Sequence, residues 1–306
     1  VCYTLVVKHR SVPKDDCLMW MVFGLSAGAL LGLYDYWTKK AMKGNSVIPI
    51  VFWSSLFGAL AWLPAFLPVS EAAGVYVDWQ ALILIKGLAM TLSWVLAYYS
   101  VKELPMSFSG AVRASGPLWT LIGGFVVFGE HLSPLQFAAV LVSIFAYFAL
   151  SQVGKAEGIR MLHNWPVFMM LMATILSAMT TVYDKFIVQE LGLPIYSIQA
   201  YSAIHRCILA MLIFLAISWK RRTIIPLRWS IYVPLVGLSW VGAELIYFFA
   251  IANPVANVTY LSIFRRLSLV VGFLLSVFLI GEKNVLRKSI IIFLIVASVV
   301  VLIIDR

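Results

Sequence analysis

Residues 230–251 read SIYVPLVGLSWVGAELIYFFAI, an apolar stretch interrupted by a single charge, Glu244, beyond its midpoint. A bilayer core of roughly 30 Å takes about 20 helical residues, which is the length of this stretch. Working outward, comparable runs lie near 18–40, 47–67, 80–101, 106–128, 134–152, 166–189, 194–218, 256–279 and 286–304. Ten spans at about 20 residues each leave too little of the 306 residues for a soluble domain. With 62% hydrophobic and 12% charged residues the chain departs from soluble proteins, whose shares are about 45–50% and about 25%. Lipid offers backbone N–H and C=O groups no partner, so these spans are expected to be helices. The fold class is therefore an all-α integral membrane protein, with short connections that make neighbouring helices antiparallel.

The net charge of +10 would suggest nucleic acid in a soluble chain. Here basic loops facing anionic lipid account for it, and no nucleic-acid partner is expected. The odd connections carry Lys39, Lys40, Lys43, Lys102, Lys155, Arg160, Lys220, Arg221, Arg222, Arg228, Lys283, Arg287 and Lys288, while the even ones hold Glu71, Asp78, Glu130 and Glu190. By the positive-inside rule the odd connections are cytoplasmic and both termini lie outside, in a multi-pass protein of the cell (inner) membrane. Lys8, Arg10 and Lys14 in the polar lead-in, residues 1–17, point the other way. That lead-in has no apolar core long enough for a signal peptide. Cys2, Cys17 and Cys207 have neither disulfide-framework nor metal-ligand spacing, so no metal and no cofactor are expected.

The two halves are related in sequence. Tyr34-Asp35 falls on Tyr183-Asp184, Gly87 on Gly237, Arg113 on Arg265 and Gly129-Glu130 on Gly281-Glu282, at offsets between 149 and 152. The expected units are a five-helix repeat over 18–152 and a second over 153–306. An odd number of spans per copy inverts the second in the membrane, the architecture of secondary transporters with a central site at the repeat interface.

The end of the fourth span, Phe125-Val126-Val127-Phe128-Gly129-Glu130 followed by Leu132-Ser133-Pro134, and its copy Phe278-Leu279-Ile280-Gly281-Glu282-Lys283 carry a resemblance. The chain resembles the drug/metabolite transporter superfamily in its ten-helix form with two EamA-like halves. The resemblance implies a bundle whose third, fourth, eighth and ninth helices line a cavity opening alternately to either side.

Ionisable side chains at bilayer depth cost about 2.5–3.5 kcal/mol on insertion scales and mark functional sites. Arg113 in the fourth span and Arg265-Arg266 in the ninth are repeat mates expected to converge on the central axis. Guanidiniums stay protonated and suit bidentate contacts to phosphate or carboxylate, so they are the candidate substrate-binding residues. The competing reading is that each pairs with an internal carboxylate, with Glu244 the obvious partner. The phosphate-ester translocators of this superfamily, which place a basic residue on the fourth helix and a basic pair on the ninth, are similar at these three positions. They differ in using Lys where this chain has Arg, so phosphate over carboxylate is a lean from resemblance. Glu244 is a candidate Arg partner or coupling acid, and His205, beside Arg206, a candidate relay or cavity residue. Lys86 can add charge to the cavity mouth or snorkel to the interface.

Asp35 and Asp184, beside Lys39 and Lys185, read as helix-end ion pairs or gates. Glu130 and Glu282 follow glycine at helix ends and read as turn residues with no transport role. Pro117, inside the fourth span, is expected to kink it. Trp62, Trp79, Trp165, Trp219 and Trp229 read as an interfacial belt. Trp94, Trp119 and Tyr260 are candidates to line the cavity because they fall on the helices the resemblance names.

No phosphate-cradling loop, His-Glu-x-x-His or Gly-x-Ser-x-Gly pattern is present in the sequence, so an ATP-driven pump or a recognisable enzyme has no support. The sequence reads as a secondary transporter of a small organic anion. Alternatives are an exporter of amino acids or amphipathic metabolites, a lipid-phosphate flippase and, in a different class, a membrane-embedded enzyme.

Overall fold

The computed structural model describes residues 14–66, 79–104, 115–130, 133–155 and 165–280, with 6–7, 10–11, 109, 112–113 and scattered positions between 289 and 301. The connection holding Glu71 and Asp78, Arg160, the Gly281-Glu282 pair and most of the tenth span lie outside the described residues. Val6–Val7 pairs antiparallel with Arg10–Ser11, and the rest is helical. In chain order the helices are α1 (Lys14–Met42), α2 (Val47–Trp62), α3 (Gln80–Glu103), α4 (Gly116–Phe128) and α5 (Pro134–Lys155). The second half gives α6 (Trp165–Lys185), α7 (Ile195–Arg221), α8 (Tyr232–Ile251), α9 (Val258–Arg265) and α10 (Ser268–Ile280). Among the described residues five helices are long and apolar enough to cross a membrane: Val47–Phe66, Gln80–Glu103, Trp165–Glu190, Ile195–Arg221 and Tyr232–Ile251. The chain is a multi-pass membrane protein. Exposed apolar side chains such as Val126, Phe145 and Leu212 are what a lipid-facing surface requires.

The main helix contacts pair α1 with α8, α3 with α6, α2 with α7 and α8, and α3 with α7; α10 lies on α1 and α4 on α6. Exchanging the first span with the sixth, the second with the seventh, the third with the eighth and the fourth with the ninth maps each of these contacts onto another, or onto itself for α2 with α7. Gly87 and Gly237, matched in the sequence, sit at equivalent crossings. A Cβ on Gly87 would come 3.0 Å from the His205 Cβ on α7, and one on Gly237 would come 2.9 Å from the Gly58 nitrogen on α2. These glycines let the helix pairs approach closely.

Two spans expected to be single helices are broken. In the ninth, α9 ends at Arg265 and α10 begins at Ser268. In the fourth, α4 begins only at Gly116, after a turn at Ser115, with Val112 and Arg113 helical before it. Tight i→i+3 bonds form both turns: Ser115 N donates to Val112 O and Leu118 N to Ser115 O, as Leu267 N does to Phe264 O and Val270 N to Leu267 O. The two sets correspond at a shift of 152 residues. Pro117 therefore stands in the first turn of α4, where its missing N–H costs nothing, and does not kink a continuous helix. Broken backbone of this kind is tolerated at membrane depth where protein or a cavity surrounds it.

Two long side chains lock equivalent helix ends. Lys39 Nζ, at the end of α1, donates to Val101 O (2.6 Å) and Leu104 O (3.0 Å) at the end of α3. Gln189 Nε2, in the π turn Phe186–Glu190 after α6, donates to Ile251 O (2.7 Å) and Asn253 O (2.9 Å) at the end of α8. Each satisfies carbonyls that a helix end leaves without partners.

Candidate functional site

A cavity of about 80 Å³ lies where α1, α3, α6, α8 and the two broken spans meet. At roughly 10–15 Å³ per water on this measure, it holds several waters or the head of a small solute. Its polar lining comprises Asp35, Arg113, Arg265, Arg266, Ser93, Thr174, Ser177, Thr181, Ser262 and Ser268, and its aromatic wall Tyr34, Trp94 and Trp240. The breaks place the arginines: Arg113 stands three residues before α4, and Arg265 three before α10. The guanidinium of Arg266 lies against Gly116, where a Cβ would collide with it.

The arginines do not share one acid. Arg113 Nη1 donates to Asp35 Oδ1 at 2.6 Å, and Arg265 Nη2 to Glu244 Oε1 at 2.7 Å. Asp35 is thus the partner of Arg113 across the first half and not of Lys39, whose ammonium caps α3. Asp184 likewise does not pair with its neighbour Lys185. Its Oδ1 accepts from Lys86 Nζ at 2.6 Å, both side chains being 3% exposed or less, and Glu244 Oε2 stands 3.9 Å from the same ammonium. Lys86 neither snorkels nor reaches the cavity mouth, because these two acids hold it inside. Phe248, 4.2 Å from its ammonium, covers another side.

Glu130 has a larger part than a turn residue. Gly129 closes α4 in the left-handed conformation, with φ of 62°, which turns the chain back toward the bundle. Glu130 Oε1 then accepts from Lys185 Nζ at 2.6 Å and from Val258 N at 3.3 Å, at the N-terminus of α9. Asn257 caps the same terminus through Thr259 N and Tyr260 N. A carboxylate there is favoured by the helix dipole.

Of the aromatic candidates, Trp94 lines the cavity. Trp119 does not; its indole N–H donates to Ser115 Oγ across the turn, at 3.3 Å. Tyr260 is buried in the core around Trp20, Tyr247 and Phe264 and does not line the cavity. The resemblance put both on a lining helix but could not fix which face turned inward. His205 lies beside Gly87 and stacks on Tyr201, away from the cavity lining, with Nδ1 lacking a hydrogen-bond partner. Trp62 is buried, unlike the exposed Trp79, Trp165, Trp219 and Trp229.

Arg206, next to His205, is the group that sequence reasoning undervalued. It is 5% exposed, with its guanidinium carbon 4.4 Å from the Trp94 ring centroid and 5.8 Å from that of Trp240. No acid among the described residues lies within ion-pairing distance of it. Its charge rests on the π faces that back the cavity. Trp94 and Trp240 meet edge to face at 4.8 Å, and Tyr34 donates its hydroxyl to Tyr98 at 2.8 Å, so the wall is preorganised.

Among the described residues the architecture is a helical membrane bundle with two interrupted spans beside a cavity lined by polar and aromatic side chains. Residues 18–152, a little under half of the chain, match the model of the EamA-like transporter family, part of the drug/metabolite transporter superfamily. No curated protein matches the chain. Among the solved structures that match, a crystal structure aligns with a TM-score of 0.70 at 16% identity, covering 95% of this chain and 96% of that one, a likeness of fold.

Proposed function

We propose that the chain is a secondary transporter of a small organic anion, a phosphate ester first among candidates, working by exchange or proton coupling as two inverted halves rock about the cavity. The observation that carries this reading is the lining of the cavity: Arg113, Arg265 and Arg266 stand around it, with Asp35 the acid among its described lining residues. Three guanidiniums gathered at membrane depth favour an anion, which they can hold by bidentate contacts. The equivalent breaks and the exchangeable helix contacts support the rocking of two related halves. In this reading the odd connections are cytoplasmic and the termini outside, in the cell (inner) membrane.

Asp35 favours one runner-up. A zwitterionic amino acid would set its ammonium on Asp35 and its carboxylate on Arg265 or Arg266, which suits an amino-acid exporter. The test is counterflow in proteoliposomes loaded with an unlabelled sugar phosphate. Labelled sugar phosphate accumulates with the parent chain and not with Arg265→Gln. Equal accumulation in that variant removes the anion site.

A further inference from the structure

We infer that Asp184, Lys86, Glu244 and Arg265 form an ion-pair relay that couples anion occupancy of the cavity to the tie between the two halves. The inference rests on the anion-transporter reading. Four charges from four spans lie in one chain of contacts: Asp184 on α6, Lys86 on α3 at 2.6 Å, Glu244 on α8 at 3.9 Å and Arg265 on α9 at 2.7 Å. Only Arg265 lines the cavity; the other three lie behind it, toward the even connections. Lys86 belongs to the first half and Asp184 to the second, so their bond holds the halves together there. Lys185 with Glu130 and the Tyr183 hydroxyl with Leu82 O add cross-half bonds on the same side.

The spacing of the relay is uneven, and that gives it a direction. Glu244 holds Arg265 at hydrogen-bond length and stands off from Lys86. An anion that takes Arg265 competes with Glu244 for the same donors. Glu244, its side chain 4% exposed, is then left facing Lys86, and closing its 3.9 Å gap to that ammonium needs a shift of about 1 Å to reach hydrogen-bond distance. Lys86 shared between two acids binds Asp184 less tightly. Occupancy of the cavity thus loosens the even-side tie, and by linkage a loosened tie favours occupancy. Ion pairs this deep add little net stability, which is consistent with their use as a switch.

The experiment measures inorganic phosphate binding to the purified full chain by titration, alongside sugar-phosphate counterflow. Glu244→Gln removes the competitor for Arg265. Asp184→Asn, at a residue outside the cavity lining, frees Lys86 to draw Glu244 away. Both variants are expected to bind phosphate about tenfold more tightly, within the roughly 5–150-fold range of site-to-site coupling, while counterflow falls to background. A residue that merely supports the fold would weaken both. Unchanged or weaker phosphate binding in the folded variants, with the parent chain still binding, overturns the relay alone. A parent chain that binds neither phosphate nor sugar phosphate overturns the anion reading and the relay with it. Should one variant fail to fold, the other carries the same test.

Discussion

Lys86→Met tests the interior most sharply. Methionine keeps the length of the lysine stem and removes the ammonium, leaving Asp184 and Glu244 with Arg265 as their nearest cation. The side chains of Lys86 and Asp184 are 2% and 3% exposed, so no water replaces the lost partner. Removing one member of a buried pair costs about 3–5 kcal/mol, because the other charge stays desolvated. The double variant Lys86→Met with Asp184→Leu removes both charges and leaves the Arg265–Glu244 bond in place. It should regain the loss, or exceed the parent by up to about 1–4 kcal/mol. Unfolding of the purified variants in detergent, followed by heat or denaturant, reads both numbers. The coupling between the two positions should reach or pass the upper end of the roughly 0.5–3 kcal/mol seen for contacting residues. Transport by the double variant should be absent even though the fold is restored. A single variant as stable as the parent, or losses that simply add, would refute the pairing.

Other expectations follow from particular contacts. Gly237→Val should destabilise by about 1–3 kcal/mol, because its Cβ meets Ser54 O and the Gly58 nitrogen across the α2–α8 crossing; a parent-like unfolding midpoint would contradict the close approach. Lys39→Met and Gln189→Leu each free two helix-end carbonyls and should each cost about 1–3 kcal/mol, with faster amide exchange at the ends of α3 and α8 respectively. Arg206→Lys keeps the charge but loses the planar stack on Trp94, so the tryptophan emission should shift and substrate affinity fall; an unaltered spectrum and affinity would argue that the stack is incidental. Glu130→Gln should lower stability and slow counterflow, since it weakens the bond to Lys185 and the cap on α9.

Much of the architecture was legible because bilayer thickness leaves so strong a mark on sequence. The apolar runs predicted α1 to α3 and α5 to α8 to within a few residues, and the end of α4 though not its start, while Gly87 and Gly237 carried the spacing of real helix crossings. The break in the fourth span was legible only as a kink expected at Pro117, and that in the ninth was not legible. Arg266-Leu267 is not a strong helix breaker, and the turns form where protein and cavity surround the backbone. In the interior, charge type was readable and partnership was not. Tyr34-Asp35 and Tyr183-Asp184 stood in register, yet their nearest lysines in sequence proved irrelevant, since a carboxylate on a helix faces other helices as readily as its own. Asp35 chose Arg113, 78 residues away, and Asp184 chose Lys86, 98 residues away. Arg206 was hidden by its neighbour His205, which drew attention as the titratable residue while the arginine took the inward face.

The central claim is that the cavity binds an anion, and ligand-induced stabilisation of the purified chain tests it most directly. Phosphate esters, carboxylates, amino acids and neutral amphiphiles are compared at matched ionic strength. A ligand at about 100 times its Kd adds roughly 2.7 kcal/mol to stability, a readable shift in Tm. The account predicts that phosphate esters stabilise the parent chain and that Arg113→Gln and Arg265→Gln each remove the effect. Stabilisation by neutral amphiphiles alone, undiminished in those variants, would contradict it.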